Sequence, residues 1–427
     1  MIETVAILST GDELTTGRTV DTNASYIADK MVGVGLDVVA VLVVGDYPER
    51  ITWAWQQSLR MADIVISTGG LGPTADDLTT ETIGALTGRR LNLDQGVADR
   101  IRQMFEAMGR VMPENNLKQA RFPEGAEIIP NPMGTAPGFR LDVDVEGKTR
   151  SIIVLPGVPR EMKVMLDQTV LPWVASQRGS DDVYLSHIFQ TFGISESALD
   201  ELVAGAVSED EGRVAFRAAF PQISLRLTVH GKPDTVPARL ETLSSRVRER
   251  LGDFAYGEGD TSMEAVVGQL LGQRGLSLAV AESCTGGLIG HRLTNVPGSS
   301  AYVKGGVIAY SNDVKEKQLG VRAETLRQHG AVSEETAIEM AEGVRQLTGS
   351  DIGLAVTGIA GPDGGTADKP VGTVCFALSA ADAAYKRRYQ LWGNREWVKV
   401  LSSQVALDWV RRHLLGVDPT DSGILKR

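Results

Sequence analysis

At 427 residues the chain is too long for one ordinary core and points to two or three domains. An apolar content of 42% with 23% charged residues fits a globular protein, and a net charge of -11 without a basic block argues against a nonspecific nucleic-acid surface. Two cysteines, Cys284 and Cys375, exclude a disulfide framework or Cys-rich metal site, and the five scattered histidines give no pair at zinc-ligand spacing.

The chain starts straight into a strand-like segment, with no basic region and no cleavage site, and no apolar run reaches bilayer-spanning length. A cytoplasmic protein with no membrane partner is expected. Val5 to Leu8 reads as a strand that empties into the polar turn Ser9 to Leu14. Asp21-Thr22-Asn23 caps a helical segment, Ala24 to Met31. Leu36 to Val44 is a near-continuous aliphatic run, the pattern of a strand buried on both faces. A helix over 51–61 and a strand over 63–67 complete a βαβαβ unit, so a parallel, doubly wound sheet is expected.

In such sheets ligands sit beyond the carboxyl ends of the strands. Two polar clusters lie there: Gly11-Asp12-Glu13, and the loop from Thr68 to Asp77. In the second, Gly69, Gly70 and Gly72 let backbone amides approach an anion, and hydroxyls such as that of Thr74 can donate to phosphate. Asp76 and Asp77 could hold a Mg²⁺-like cation on a pyrophosphate, while one of the two is expected to cap the next helix, 78–86. A further strand, Ser151 to Leu155, ends in Pro156-Gly157-Val158-Pro159 and enters another helix.

The middle of the chain, after a linker at 179–182, reads as a small α+β unit with an Arg- and Glu-rich helix over 240–251 and no assigned chemistry. The last third opens with an amphipathic helix over 261–274. An apolar strand, Leu276 to Ala281, follows and runs into Glu282-Ser283-Cys284-Thr285-Gly286-Gly287 and a helical segment, 288–293. A strand that turns on paired glycines into a helix can set a hydroxyl nucleophile beside unpaired amides, which would bind a phosphate or stabilise an oxyanion. A plain structural turn is the competing reading. Tyr310 ends the next strand, Lys315 lies in the first turn of the helix after it, and the loop from Thr357 to Gly365 is Gly-rich. With no histidine beside a matching acid, the base available to Ser283 is a lysine whose pKa is lowered by burial or by a second cation. Taken singly, an exposed Lys315, a core Tyr310 and a filler Cys284 are the ordinary readings.

Gly11-Asp-Glu-Leu14, Thr68-Gly-Gly-Leu-Gly-Pro-Thr74 with Asp76-Asp77, Gly134-Thr-Ala-Pro-Gly138 and Leu155-Pro-Gly-Val-Pro-Arg-Glu-Met162 together resemble the N-terminal domain of the CinA (competence/damage-inducible) family. Ala281-Glu-Ser-Cys-Thr-Gly-Gly287, Tyr310-Ser-Asn312 with Lys315, His329-Gly-Ala-Val-Ser333 and Thr357 to Gly365 resemble its C-terminal domain, the PncC type of nicotinamide mononucleotide deamidase. The chain departs from the family pattern at Thr15, where an aliphatic residue is more usual, and at Asn394, where Asp more often precedes Arg395.

The resemblance implies an α/β chain of three parts. These are a MogA/MoaB-like, molybdopterin-binding-type domain over 1–175, a KH-like connector over 176–257 and a deamidase domain over 258–418. It implies two substrates, nicotinamide mononucleotide and ADP-ribose, and a homodimer by family precedent, while the acidic balance argues against direct nucleic-acid contact. At the deamidase site Ser283 would be the nucleophile, Lys315 the base and Tyr310 an aid to proton transfer, with no cofactor. The amides from Cys284 through Thr285 and Gly286 to Gly287 are the physical candidates for the oxyanion site. Thr357, Gly358, Gly361 and the rest of that loop would hold ribose and phosphate, with Arg395 as a charged partner. At the first domain a divalent cation, Mg²⁺ or similar, would lie among Asp12, Asp76 and Asp77. The nucleotide would lie against Gly69, Gly70, Gly72, Thr74 and Gly157. Spacing alone does not choose ADP-ribose over molybdopterin. Two rivals stand beside this reading: Cys284 as the nucleophile, and a nucleotide- or molybdopterin-binding regulatory protein, acting through partners, with at most the C-terminal site active.

Overall fold

The computed structural model describes residues 2–179 and 182–421, and the chain packs as two compact units. The first comprises Met1–Leu185 with Val229–Pro237, and the second Ser186–Thr228 with Ala238–Arg427. Part of the expected linker, 180–181, lies outside the described residues.

The first unit is built on β1 (Thr4–Thr10), β2 (Asp37–Val44) and β3 (Ile64–Thr68), a short pair β4 (Leu91–Leu93) and β5 (Arg121–Pro123), and then β6 (Glu127–Ile129), β7 (Gly138–Val145) and β8 (Lys148–Leu155). The main sheet runs β2-β1-β3-β8-β7-β6. The strands β2, β1, β3 and β8 are parallel, as expected for a doubly wound fold, and β7 and β6 add an antiparallel edge. Alternate side chains of β1 feed two cores. Val5 and Ile7 pack with Ile27 and Met31 of the helix Thr22–Gly33, while Ala6 and Leu8 pack with Ile51 and Trp55 of the helix Pro48–Met61. Asp21 caps the first of these helices by accepting from the Ala24 amide at 2.9 Å. One expectation is corrected. β2 is an edge strand, so Val39, Val41 and Val43 point outward; the valine run reflects strand propensity, not burial on both faces.

The second unit holds most of β9 (Val183–Thr191), from residue 186 on, β10 (Arg213–Ala219), most of β11 (Gln222–Gly231), up to residue 228, and β12 (Ala255–Glu258), in a sheet of order β10-β11-β9-β12. Phe192 and Tyr256, beside its strands, belong to the same hydrophobic core as Met263, Leu401 and Trp409 further along the chain. At the β10–β11 turn, Phe220 stacks on Trp397 with ring centroids 4.4 Å apart and planes 21° apart.

The remaining strands are β13 (Leu278–Glu282), β14 (Val303–Ile308), β15 (Ile352–Gly358), β16 (Thr373–Ser379) and β17 (Ala384–Gln390), in the order β14-β13-β15-β16-β17. β13 is parallel to both neighbours and β16 is antiparallel to β15. The alternation in Leu278-Ala-Val-Ala281 is functional packing. The large residues meet the helices Met263–Arg274 and Arg395–Leu415, and the alanines leave room for the helix Glu334–Thr348 on the other face. The approach is close enough that a Cβ on Gly353 would lie 2.1 Å from the Ala341 carbonyl oxygen. Among the described residues no helix is long and apolar enough to cross a membrane.

Candidate active site

Ser283 sits at the carboxyl end of central strand β13, where its amide donates to the Val356 carbonyl at 2.9 Å. Lys315 lies in the first turn of the helix Asn312–Leu319, whose start is fixed by the Ser311 hydroxyl accepting from the Val314 amide at 3.3 Å. This start brings Lys315 Nζ to 3.1 Å from Ser283 Oγ. A second bond, 2.6 Å to the Ala309 carbonyl, fixes the amine from the other side. Ser283 is 8% exposed and Lys315 1%. No carboxylate pairs with Lys315 among the described residues, and burial pushes its pKa down from the ordinary lysine range. A neutral amine with one N–H given to Ala309 keeps its lone pair for the serine proton.

Glu282 overturns one expectation. Its carboxylate, 2% exposed, accepts from the amides of Gly287 at 3.0 Å, Ile289 at 3.1 Å and Gly290 at 2.8 Å. These are the free donors at the start of the helix Leu288–Thr294, so the positive end of that helix is already occupied from within. The Gly286 amide turns back to the Ser283 carbonyl at 3.1 Å. Gly286 and Gly287 therefore shape the turn, at φ 63° and 94°, and their amides already have acceptors within it. The amides of Cys284 and Thr285 are left without an oxygen acceptor among the described residues. The role of Glu282 was readable in principle: an acid at a strand's last position, five residues before a helix with no other cap, is a candidate to fill that helix's start. Glu282→Ala should cost on the order of 3–6 kcal/mol by stranding three partly or fully buried amides. Thermal unfolding of the variant measures this, and an unchanged midpoint would show that water replaces the carboxylate.

Cys284 is buried, and that burial pushes its thiol up to about 12. A thiolate at neutral pH is thereby disfavoured, and the lysine is bonded to the serine instead. Tyr310 also stands apart from its expected role. It is 61% exposed, and its hydroxyl accepts from Arg395 Nη2 at 2.7 Å rather than contacting Ser283 or Lys315. Arg395 also donates through Nη1 to the Gly361 carbonyl at 2.7 Å, which draws the Gly-rich loop, Tyr310 and the last helix to one rim. Thr357 is buried and donates to the Ala331 carbonyl at 2.8 Å. Gly358 is demanded by packing, since a Cβ there would lie 2.8 Å from Val374 Cγ2.

In the first unit the carboxyl ends of β1, β3 and β8 converge. Asn23 donates to Thr68 Oγ1 at 3.0 Å and to the Gly157 carbonyl at 2.7 Å. Gly69 and Gly70 adopt φ of 103° and 68°. A Cβ at Gly69 would lie 2.5 Å from the Thr10 carbonyl, and Gly157 packs against Gly69. The buried Thr10 hydroxyl beneath this turn has no hydrogen-bond partner among the described residues. The acids behave differently from expectation. Neither Asp76 nor Asp77 caps the helix Thr79–Thr87, whose first-turn cap position, Leu78, has no side-chain bond. Asp77 instead accepts from the amide and hydroxyl of Thr74, closing the loop that Gly72 permits. Asp12 and Asp46 exchange backbone-to-carboxylate bonds of 2.9 and 3.2 Å. Burial, with the charges of Asp12, Glu13 and Asp76, raises the pKa of Asp46. Carboxylates thus gather near the loop, but among the described residues no group of three or more His, Cys, Asp or Glu side chains could hold a metal ion. Asp12, Asp76 and Asp77 do not form a ligand set.

Three domain families match in chain order. They are a probable molybdopterin binding domain over 6–176, a damage-inducible protein CinA KH domain over 186–257 and a CinA C-terminal domain over 260–414. A molybdopterin-binding-type α/β domain, a KH connector and an α/β domain with a buried Ser–Lys pair define a class of multidomain α/β proteins. A CinA-like protein of Geotalea uraniireducens is 43% identical over 97% of this chain and 98% of its own length. A putative competence-damage inducible protein of Halothermothrix orenii is 44% identical over 96% of this chain and 98% of its own. Among solved structures, one described as the protein CinA with unknown function from Thermoplasma acidophilum is 35% identical. It covers 41% of this chain and 98% of its own, with a TM-score of 0.36. The chain belongs to the CinA family.

Proposed function

We propose that the second unit is an amidohydrolase that converts nicotinamide mononucleotide to nicotinate mononucleotide and ammonia. The observation that carries this reading is the buried Lys315 amine 3.1 Å from Ser283 Oγ, with no carboxylate paired to it among the described residues. Lys315 takes the hydroxyl proton as Ser283 Oγ bonds to the carboxamide carbon. Negative charge on the former carbonyl oxygen is met by the Cys284 and Thr285 amides. The C–N bond breaks, and the proton held by Lys315 passes to the leaving nitrogen, which departs as ammonia. Water, deprotonated by the same amine, then attacks the acyl-serine and restores both groups. The test is to supply purified full-length protein with nicotinamide mononucleotide and quantify ammonia and nicotinate mononucleotide; no release above the uncatalysed rate would end this reading.

A second activity, hydrolysis of ADP-ribose to AMP and ribose 5-phosphate, is supported by one feature of the first unit. The unpartnered Thr10 hydroxyl lies under a glycine turn fit for a pyrophosphate, at the strand ends where such ligands bind. The family resemblance attaches a divalent cation to this reaction, whereas the side chains present do not make a metal centre of their own. Because Asp77 closes the glycine loop on Thr74, an Asp76→Ala/Asp77→Ala double variant should cut ADP-ribose turnover at least about tenfold by loosening that loop and leave ammonia release unchanged. Full ADP-ribose turnover by that variant, assayed with and without chelator, would remove the acidic pair from the site. If wild type binds the nucleotide without cleaving it, the first unit is a binding domain.

A further inference from the structure

One cation beside the nucleophile loop has no structural duty. The last helix, Arg395–Leu415, begins where Asn394 accepts from the Trp397 amide at 2.9 Å, and the stack of Phe220 on Trp397 braces its first turn. Arg395 and Lys399 lie four residues apart, on one face of that helix. Both are cations in its opening turns, where the helix dipole disfavours positive charge, so helix stability does not explain them. Arg395 is tied to Tyr310 and Gly361. Lys399 is half-buried and makes no hydrogen bond or ion pair among the described residues. Its Nζ overhangs the turn after Ser283, 3.8 Å from where a Cβ on Gly286 would be. Glu282, under that turn, directs its carboxylate to three amides and makes no ion pair with Lys399 among the described residues.

We propose that Lys399 completes, with Arg395, a two-cation seat for the phosphate monoester of the substrate and so makes the deamidase selective for nucleotide over nucleoside. This rests on the amidohydrolase reading above. The two cations flank the space between the nucleophile turn and the Gly361 rim, and a dianionic phosphate there would pair with a lysine that no described acid pairs. Lys399 touches no reacting atom; its part is to anchor the far end of the substrate.

The experiment compares full-length wild type, Lys399→Met and Lys399→Arg on nicotinamide mononucleotide and on nicotinamide riboside, which lacks the phosphate. Lys399→Met is expected to raise KM for the nucleotide about ten- to a hundredfold, the usual loss for a desolvated charge contact, with kcat little changed. Turnover of the riboside should be unaffected, and Lys399→Arg should recover most of the loss. Inorganic phosphate should compete with the nucleotide in wild type and only weakly in Lys399→Met. Unchanged KM in the Met variant overturns the proposal, as does an equal loss on both substrates, which marks a structural role. A wild type inactive on both substrates instead defeats the underlying amidohydrolase reading.

Discussion

Ser283→Ala should abolish ammonia release from nicotinamide mononucleotide by at least about 10³-fold, while Cys284→Ala keeps turnover within about tenfold of wild type. The two residues are neighbours in sequence and differ by environment. Ser283 Oγ is held 3.1 Å from an amine, whereas burial drives the Cys284 thiol up to about 12 and leaves it protonated. Loss of the hydroxyl removes the bond-forming atom but leaves the Cys284 and Thr285 amides in place, so binding should persist. Steady-state rates and a nucleotide-binding titration on both variants check this. A serine variant that turns over normally, or a cysteine variant that is dead but folded, would reverse the assignment.

The second large effect is at Lys315. Lys315→Met should lower kcat by about 10²- to 10⁴-fold, the range for a positioned base. It should do so without lowering stability at neutral pH. The lysine's folded-state pKa is depressed by burial, so the unfolded chain binds a proton more readily than the native one. The resulting penalty on the wild type is fully present below the folded pKa. It shrinks as pH rises through the window up to the ordinary lysine value, and is gone above it. Methionine removes that penalty, so denaturant unfolding should show the variant's advantage at pH 7 narrowing as pH rises. The wild-type activity should rise with pH along its acid limb, because the base works as the neutral amine. A wild-type rate falling as pH rises through that limb would show that the lysine works charged; a variant less stable at every pH would show that the lost bonds to Ser283 and Ala309 outweigh the burial penalty.

Much of this was legible in the chain. Lys315 in a first helical turn and Ser283 at a strand's end follow from apolar period and caps, because local rules decide them. Less legible was whatever depends on which donor an acid finds. Glu282 reads as the polar end of a strand, yet its carboxylate displaces the anion that the glycine turn invites. Asp77 reads as a cap or a metal ligand and instead closes its own loop on Thr74. Tyr310 lies close to Lys315 in sequence, but the strand-to-helix turn points its hydroxyl to Arg395. The valines of β2 read as buried because strand propensity and burial favour the same residues, and only sheet order separates the two.

The shared core of the second unit bears on how the chain can be cut. Sequence divides the molecule into three modules, but packing divides it into two, because Phe192 and Tyr256 of the KH segment sit in one core with Met263, Leu401 and Trp409. The Asp253 carbonyl accepts from the buried Arg411 of the last helix at 2.8 Å, across the same seam. A cut near residue 258 would follow the module boundary and split one packed core, exposing two aromatic rings and leaving Arg411 with Asp408 but without its bond to the Asp253 carbonyl. The KH segment is then less a tether than a fitted half of the fold that carries the Ser–Lys pair.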